Sequence, residues 1–155
     1  DSHADLTIAL AKMNIPMLYV EKAMASSMKQ ADEVLKVVAR NDLKFNTGVL
    51  RRFDNRYAMV RKAVASGSIG KILSVVHYAP STLMHGHIHS IDTISFLIGD
   101  PTIEAVRGDL LPREASFFGR HIDHDPRAVY QLRFAGNIDA YTVPAGKWEF
   151  EVLGS

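Results

Sequence analysis

The order of helix and strand patterns changes near residue 50, and this change constrains the fold more than any other feature of the sequence. Before it, helical patterns alternate with short apolar runs, an order typical of a parallel α/β sheet. After Gly99 only strand patterns follow. The sequence therefore predicts an α/β part over residues 1–50, followed by an α+β part with a large, mostly antiparallel open sheet over residues 51–155.

The first part is predicted to contain two helices and two strands. Asn14 tolerates the left-handed conformation that ends a helix, and Pro16 prevents the first helix from continuing. Ser27 and Gln30 form a capping-box pattern at the start of the second helix. The apolar stripe predicted to be buried is Leu6, Ala9, Leu10 and Met13 in the first helix, and Met28, Ala31, Leu35 and Val38 in the second. The strands are predicted at Met17–Val20, as a buried strand, and at Phe45–Leu50.

The second part is predicted to be a sheet backed by helices. Asp54 is expected to cap a helix, and Gly99 followed by Pro101 is expected to end another that covers Ile88–Ile98. Side chains predicted to point inward from the first of these are Tyr57, Val60 and Val64. The predicted strands are Ile72–Ala79, Ile103–Leu110, Ala128–Phe134, Ile138–Val143 and Trp148–Leu153. Hairpin turns are predicted at Gly136-Asn137 and Ala145-Gly146, and a loop at 112–126.

Composition excludes several classes of site and partner. The chain has no cysteine, which rules out disulfides, thiolate metal sites and cysteine nucleophiles. The 18 Lys and Arg nearly balance the 17 Asp and Glu, so the charge gives no reason to expect nucleic acid as a partner. No apolar run approaches the roughly 20 residues of a membrane span, and the start lacks a signal-peptide pattern. The expectation is a cytoplasmic protein with no nucleic-acid or membrane partner.

Lys22 is the first candidate for chemistry. It follows Glu21 at the carboxyl end of a predicted parallel strand, where ligands of open α/β sheets bind. Its ammonium group could stabilise a developing alkoxide or lower the pKa of a neighbouring acid. From spacing alone, a solvated lysine at a strand end remains the favoured alternative.

A histidine cluster is the second candidate. His85, His89, Asp92 and Phe96 fall on one face of a helix, and histidine is well suited to proton transfer near neutral pH. The neighbouring stripe is predicted to face the core: Ile88, Ile91, Ser95 and Ile98. A divalent metal held by His85 and His89, with Asp92 completing the set, is one alternative. A strand would instead align His85, His87 and His89, and a merely polar helix terminus is the third interpretation.

A short basic run is the third candidate. Arg51 and Arg52 precede Phe53, a combination that in other contexts contacts phosphates. The near-zero net charge and Asp54 nearby argue against nucleic acid. Arg52 is therefore a candidate for a smaller anion or for substrate hydroxyls. The other basic residues of this region are expected to lie on a solvated helix face: Arg56, Arg61 and Lys62.

Taken in order, these motifs run nearly the length of the chain. They are Leu18-Tyr19-Val20-Glu21-Lys22, then Arg51-Arg52-Phe53-Asp54 with Gly67-Ser68-Ile69-Gly70-Lys71-Ile72, and finally His89-Ser90-Ile91-Asp92 with Phe96-Leu97-Ile98-Gly99. The chain thereby resembles the glucose–fructose oxidoreductase/inositol dehydrogenase/rhizopine-catabolism (Gfo/Idh/MocA) family. The motifs look like its Glu-Lys-Pro motif, its passage into the second domain and its His-x-x-Asp helix.

The resemblance implies a fold and a reaction. Residues 1–50 would be the C-terminal part of a Rossmann nucleotide-binding domain, and residues 51–155 a substrate and oligomerisation domain that is cut short. The implied activity is hydride transfer between NAD or NADP and a carbinol carbon of a sugar or polyol, in a homo-oligomer formed through the open sheet. Roles implied by the motifs are catalysis for Lys22 and His89, cofactor binding for Glu21 and Lys22, and substrate binding for Arg52, His85 and Asp92, with no metal.

The chain departs from the family pattern at three points. Ala23 replaces the proline of the Glu-Lys-Pro motif, and His85 stands where many members have aspartate. The glycine-rich fingerprint of dinucleotide sites is absent and is expected upstream of Asp1. The chain alone is therefore expected to bind NAD(P) poorly and to be inactive. Two other functions remain open: an NAD-dependent glycosidase on the same scaffold, and a non-catalytic oligomerisation module.

Overall fold

A computed structural model of the protein describes residues 2–112 and 125–155. The chain forms two compact units, and the first passes into the second between Val49 and Leu50. This division falls where the sequence pattern changes. Most of the loop predicted at 112–126 lies outside the described residues. Within the described ranges, no helix combines the length and the apolar character needed to span a membrane.

The first unit alternates helices and strands as predicted. It contains α1 (His3–Ala11), β1 (Met17–Glu21), α2 (Met28–Arg40) and β2 (Lys44–Gly48). β1 and β2 pair in parallel, with Met17 beside Lys44 and Glu21 beside Gly48. Because parallel neighbours need a crossover connection, α2 lies between them in the chain.

Local signals in this unit formed as predicted at two points. Asn14 adopts a φ of 55° just after α1. At the start of α2 the Ser27 Oγ accepts a 3.2 Å hydrogen bond from the backbone N–H of Gln30. The return bond differs from the predicted capping box, because the Gln30 Oε1 accepts from the N–H and hydroxyl of Ser26 rather than from Ser27.

The faces predicted to be buried in the first unit are wrong. Small residues of α1, namely Ala4, Thr7 and Ala11, are buried, whereas Leu6 and Met13 are exposed. α2 likewise buries Gln30 and Val34 and exposes Met28 and Leu35. Small side chains let two helices approach closely, and Thr7 can be buried because its hydroxyl donates to the carbonyl of His3 at 2.7 Å. β1 is not a buried strand either: Met17 and Tyr19 on one of its faces are exposed.

The second unit is built around a five-stranded sheet. After a 3₁₀ turn at Leu50–Phe53 come α3 (Asn55–Ala65), β3 (Ile72–Tyr78), a π-helical turn at Leu83–His87, α4 (Ile88–Leu97), β4 (Ile103–Leu111), β5 (Arg127–Phe134), β6 (Ile138–Val143) and β7 (Glu149–Gly154). The strand order is β4-β5-β6-β3-β7. Only β3 and β6 are parallel, and the other pairings are antiparallel. The predicted fold class is therefore confirmed.

One of the two predicted hairpins formed. Gly136 and Asn137 adopt φ values of 85° and 60° and join the antiparallel strands β5 and β6. The hairpin predicted at Ala145-Gly146 is wrong, because β6 and β7 do not pair with each other. β3 lies between them, parallel to β6 and antiparallel to β7. Turn residues indicated that the chain reverses there, but not that a third strand separates the two ends.

The core of this unit lies between α4 and one face of the sheet. Buried residues from both sides form it: Val75, Ile94, Tyr130, Leu132, Phe134 and Ala140. The predicted core face of α4 is confirmed in part: Ile91 and Ile98 pack against this core but are only partly buried. The fully buried residues of the helix are Ser90, Thr93, Ile94 and Leu97. The Ser90 hydroxyl can be buried because it is hydrogen-bonded to the Tyr130 hydroxyl at 2.8 Å.

α3 confirms its predicted cap. The Asp54 Oδ1 accepts a 2.9 Å hydrogen bond from the N–H of Arg56. Tyr57 and Val64 are half-buried, but Val60 is exposed rather than inward.

Candidate functional site

In the first unit the candidate residues lie at the carboxyl edge of the parallel pair. Glu21 ends β1 beside Gly48, the last residue of β2, and Lys22 follows directly. The Tyr19 side chain lies over Gly48, because a Cβ there would collide with the Tyr19 hydroxyl and would lie 3.2 Å from the Glu21 Oε2. The Nδ1 of His3 donates to the Ala23 carbonyl at 2.8 Å, which ties the segment after Lys22 to α1. Ligands of parallel sheets bind outside this edge.

In the second unit the candidate residues lie along α4. His89 is half-buried in its first turn, Asp92 follows three residues later, and His85 is exposed on the preceding π-helical turn. The structure therefore brings His89 and Asp92 onto one helix as predicted from their spacing. Lys22 belongs to the other unit, so its predicted convergence with His89 stays a prediction.

Arg52 joins Asp92 to the end of α4. Its Nε donates to the Asp92 Oδ1 at 2.7 Å, and its Nη1 lies 2.8 Å from the Asp100 Oδ1. Arg61 binds the other Asp100 oxygen at 2.8 Å. Burial acts to raise the pKa of Asp100, but the hydrogen bonds from Arg61 and Arg52 outweigh it and hold that pKa below its usual value. The guanidinium of Arg52 is thus held by two carboxylates.

The second carboxylate oxygen of Asp92 is available to a partner other than Arg52. Its Oδ2 is buried and has no hydrogen-bond partner among the described residues. A buried carboxylate oxygen without a partner is energetically costly, and such atoms commonly mark a ligand or water position. The structure therefore presents Asp92 as a hydrogen-bond acceptor three residues from His89.

His87 differs from its two neighbours because it is part of the core. Its Nε2 donates to the Ala128 carbonyl at 3.0 Å, and its Nδ1 lies 3.0 Å from the Ser90 hydroxyl. Burial lowers the pKa of His87 and thereby favours the neutral ring. The strand geometry that would align three histidines is absent, since they lie on a π-helical turn and a helix. Across residues 2–112 and 125–155, no group of three or more His, Asp or Glu is arranged to hold a metal ion.

Sequence reasoning missed Asp125. Both of its carboxylate oxygens accept backbone hydrogen bonds from the π-helical turn that carries His85. Asp125 contacts residues 40 and 41 positions earlier in the chain. No pattern within a few residues of Asp125 indicates such a contact.

Solved structures establish the class of fold. A myo-inositol 2-dehydrogenase from Lactobacillus plantarum matches 99% of the chain with a TM-score of 0.75 and 21% identity, over 52% of its own length. A super-repressor mutant of Gal80p from Saccharomyces cerevisiae matches 99% of the chain with a TM-score of 0.80 and 17% identity, over 51% of its length. Identities this low show the fold alone, and the dehydrogenase and the repressor share that fold.

Sequence relatives indicate the class of protein more specifically than the fold does. The chain is similar to myo-inositol 2-dehydrogenase of Thermotoga maritima, with 27% identity over 86% of the chain and 43% of the relative. It is also similar to scyllo-inositol 2-dehydrogenase (NAD(+)) of Bacillus subtilis, with 25% identity over 99% of the chain and 50% of the relative. No protein-family model matches. These relatives confirm the resemblance to the Gfo/Idh/MocA family of oxidoreductases, at low identity, and the chain spans about half the length of the curated relatives it matches.

Proposed function

We propose that the protein carrying this chain is an NAD(P)-dependent oxidoreductase that transfers hydride from or to a carbinol carbon of a sugar or polyol. The observation that carries the proposal is the similarity of 99% of the chain to an NAD(+)-dependent inositol dehydrogenase. The positions of His89 and Asp92 on α4 and of Lys22 at the carboxyl edge of β1 agree with it. A cytoplasmic location stays a prediction of the sequence.

The residues present fit part of a nicotinamide cofactor site. Glu21 and Lys22 stand at the edge of a parallel β pair, the position where dinucleotides bind in such sheets. The phosphate-binding glycine motif does not occur in the sequence, and we therefore expect the chain alone to bind NAD(P) weakly. When bound, the cofactor supplies the site of hydride gain or loss.

Residues of the chain itself would accept the hydroxyl proton of the substrate and stabilise the substrate oxygen. A carbinol loses its hydroxyl proton as it loses hydride, and His89 is the proposed base for that proton. Lys22 would hold the oxygen by charge and hydrogen bonding as its negative charge develops. The buried Asp92 Oδ2 would accept a hydrogen bond from a neighbouring hydroxyl of the substrate, and Arg52 would orient Asp92. His85 is exposed and is proposed to contact a more distant hydroxyl.

Cofactor and substrate should be tested in that order. We would titrate NAD and NADP into the full-length protein and into the 155-residue chain alone, following nicotinamide fluorescence. Myo-inositol, scyllo-inositol and a panel of sugars would then be assayed for formation of reduced cofactor. We expect binding to the full-length protein and polyol-dependent reduction of the cofactor. We expect His89→Ala and Lys22→Ala to lose roughly 100-fold or more in kcat, with cofactor affinity kept in His89→Ala.

Lys62→Ala is a suitable control, because Lys62 is an exposed α3 side chain outside the candidate site. It should behave as the wild type in both assays. Absence of nucleotide binding to the full-length protein would contradict the proposal. A wild-type kcat in both the Lys22 and the His89 variants would contradict the roles proposed for these two residues.

An NAD-dependent glycosidase is the second candidate, and one observation favours it. His85 replaces an expected aspartate, which changes the hydrogen bonding available beside the substrate. His87 gives this alternative no support, because both of its ring nitrogens are engaged in the core. Net cofactor turnover separates the two functions: a dehydrogenase accumulates reduced cofactor, and a glycosidase of this kind does not.

A homo-oligomer formed through the open sheet is also proposed, and it is the basis of the non-catalytic alternative. Exposed apolar side chains occur on several strands: Ile103, Val106, Tyr141 and Leu153. Apolar side chains exposed on a sheet suit association with another surface. Analytical ultracentrifugation of the full-length protein would test this, and a monomer at micromolar concentration would contradict it.

A further inference from the structure

The helix that carries His89 lacks a local cap. Neither Thr82, before the π-helical turn, nor His87, before α4, makes a side-chain cap hydrogen bond. The first N–H groups of a helix have no partner within the helix and need one elsewhere. The backbone of Met84 and His85 is therefore dependent on a partner from another part of the chain.

Asp125 is that partner. Its Oδ1 accepts from the N–H of Met84 and its Oδ2 from the N–H of His85, both at 2.8 Å. Burial acts to raise the pKa of Asp125, but hydrogen bonds from Met84, Thr82 and His85 outweigh it and lower that pKa. The carboxylate is thus charged at neutral pH, and charge-assisted hydrogen bonds of this kind are among the stronger ones in proteins.

The residues after Asp125 accept further hydrogen bonds from the same π-helical turn. The N–H of Leu83 donates to the Pro126 carbonyl at 2.8 Å. The Nε2 of His87 donates to the Ala128 carbonyl at 3.0 Å. On the other side, Gly86 leaves no room for a side chain because Ser81 lies against it. Residues 125–128, at the entry to β5, therefore contact the π-helical turn along its length, and Asp125 makes the charged contact.

We propose that Asp125 is a positioning residue that fixes the backbone of the π-helical turn and thereby the placement of His85 and His89 toward the substrate. The inference rests on the proposed oxidoreductase function. Asp125 contacts no reacting atom and acts through the backbone of its neighbours. Since small displacements of a catalytic group cost up to about 100-fold in rate, loss of this contact is expected to lower turnover by roughly 10- to 100-fold.

The test uses three variants of the full-length protein. Asp125→Ala removes both acceptors, Asp125→Asn keeps one oxygen, and Glu104→Ala removes an exposed carboxylate from β4 in the same unit as a matched control. Amide hydrogen exchange at Met84 and His85 reports the contact without cofactor or substrate. Steady-state kinetics then report kcat and KM separately, at a temperature where circular dichroism shows each variant to be folded.

We expect faster exchange at both amides and a lower kcat with a smaller change of KM in Asp125→Ala, partial recovery in Asp125→Asn, and no change in Glu104→Ala. Unchanged exchange in Asp125→Ala would overturn the contact itself. Faster exchange with wild-type kcat and KM would overturn the positioning role and leave Asp125 as a helix cap. A wild type without polyol-dependent cofactor reduction would refute the proposed function, and the positioning role with it, while the exchange data still decide the contact.

Discussion

His77 should make the stability of this protein depend on pH. Its ring is fully buried on β3, with ring centroids 4.5 Å from Trp148 and 4.4 Å from Phe150. Neither ring nitrogen has a hydrogen-bond partner among the described residues. Burial, with smaller effects from His87 and Arg51, lowers the pKa of His77 from 6.5 to about 4. A charged imidazole is therefore disfavoured in the folded state.

The sign and size of the effect follow from this shift. The unfolded chain binds the proton more readily than the folded one, so the free energy of unfolding falls as pH decreases from about 6.5 to about 4 and changes no further below that. Each tenfold difference in proton affinity is worth about 1.4 kcal/mol. The pKa shift of His77 thus corresponds to a loss of about 3 kcal/mol.

The assay is urea denaturation at several pH values between 7.5 and 4, which spans the titration of the folded and the unfolded His77. His77→Phe keeps an aromatic ring of similar size and removes the titrating group. We expect this variant to lose the acid-dependent part that His77 contributes, so the difference in stability between variant and wild type should grow as pH falls. His87 also has a lowered pKa, and its contribution is present in both proteins.

Phe150→Leu is the matched control, because it alters the same cluster without removing a titrating group. It should shift the stability at every pH while leaving the pH dependence in place. A difference between His77→Phe and wild type that stays constant from neutral to acid pH would refute the reasoning. In that case His77→Phe would keep the full acid sensitivity of the wild type, and His77 would not be its source.

Three further predictions concern stability. Ile94→Ala leaves a cavity in the core and should cost about 2–5 kcal/mol in urea denaturation; a loss below about 1 kcal/mol would mean that the core relaxes around it. Ser27→Ala removes the cap of α2 and should cost about 1 kcal/mol, whereas Ser27→Asp should retain most of the stability. Gly86→Ala places a methyl group against Ser81 and should cost about 1–3 kcal/mol, and the double variant with Ser81→Gly should recover most of it; a neutral single variant would contradict the close packing.

Local signals predicted the order and ends of many elements. β6 has the predicted bounds of Ile138–Val143, because a glycine-containing turn precedes it and Pro144 follows it. Asp54 and Ser27 cap the helices they were expected to cap. Gly136 and Asn137 adopt the positive φ values that a tight hairpin requires. Each of these depends on contacts within a few residues, which a sequence pattern contains.

The buried faces of the helices were predicted poorly. α1 buries Ala4, Thr7 and Ala11 instead of its larger apolar residues, and α4 buries Ser90 and Thr93. A hydrophobic stripe predicts burial only where the surrounding surface can accept large side chains. Close packing changed the outcome here, and two of the buried hydroxyls gain hydrogen bonds, since Thr7 donates to the His3 carbonyl and Ser90 meets Tyr130.

The candidate site was likewise predictable only where its residues lie close together in the sequence. Spacing along one helix was enough to relate His89 to Asp92, and a strand end was enough to select Lys22. The partner of Asp92 was not visible, because Arg52 lies 40 residues away. The cap of the π-helical turn was hidden for the same reason, since Asp125 follows it by about the same distance in sequence.

By itself, therefore, the sequence determined the alternation of helices and strands, the change of pattern near residue 50, several caps and turns, and the motifs that resemble those of the Gfo/Idh/MocA family. Only the tertiary structure decided that β3 separates β6 from β7, which helix faces are buried, that His77 and His87 belong to the core, and that Asp125 holds the turn before α4. The physical reason is the range of the interactions. Propensity, capping and turn geometry act between neighbours in the chain, whereas strand pairing and the burial of polar groups depend on residues that only folding brings together.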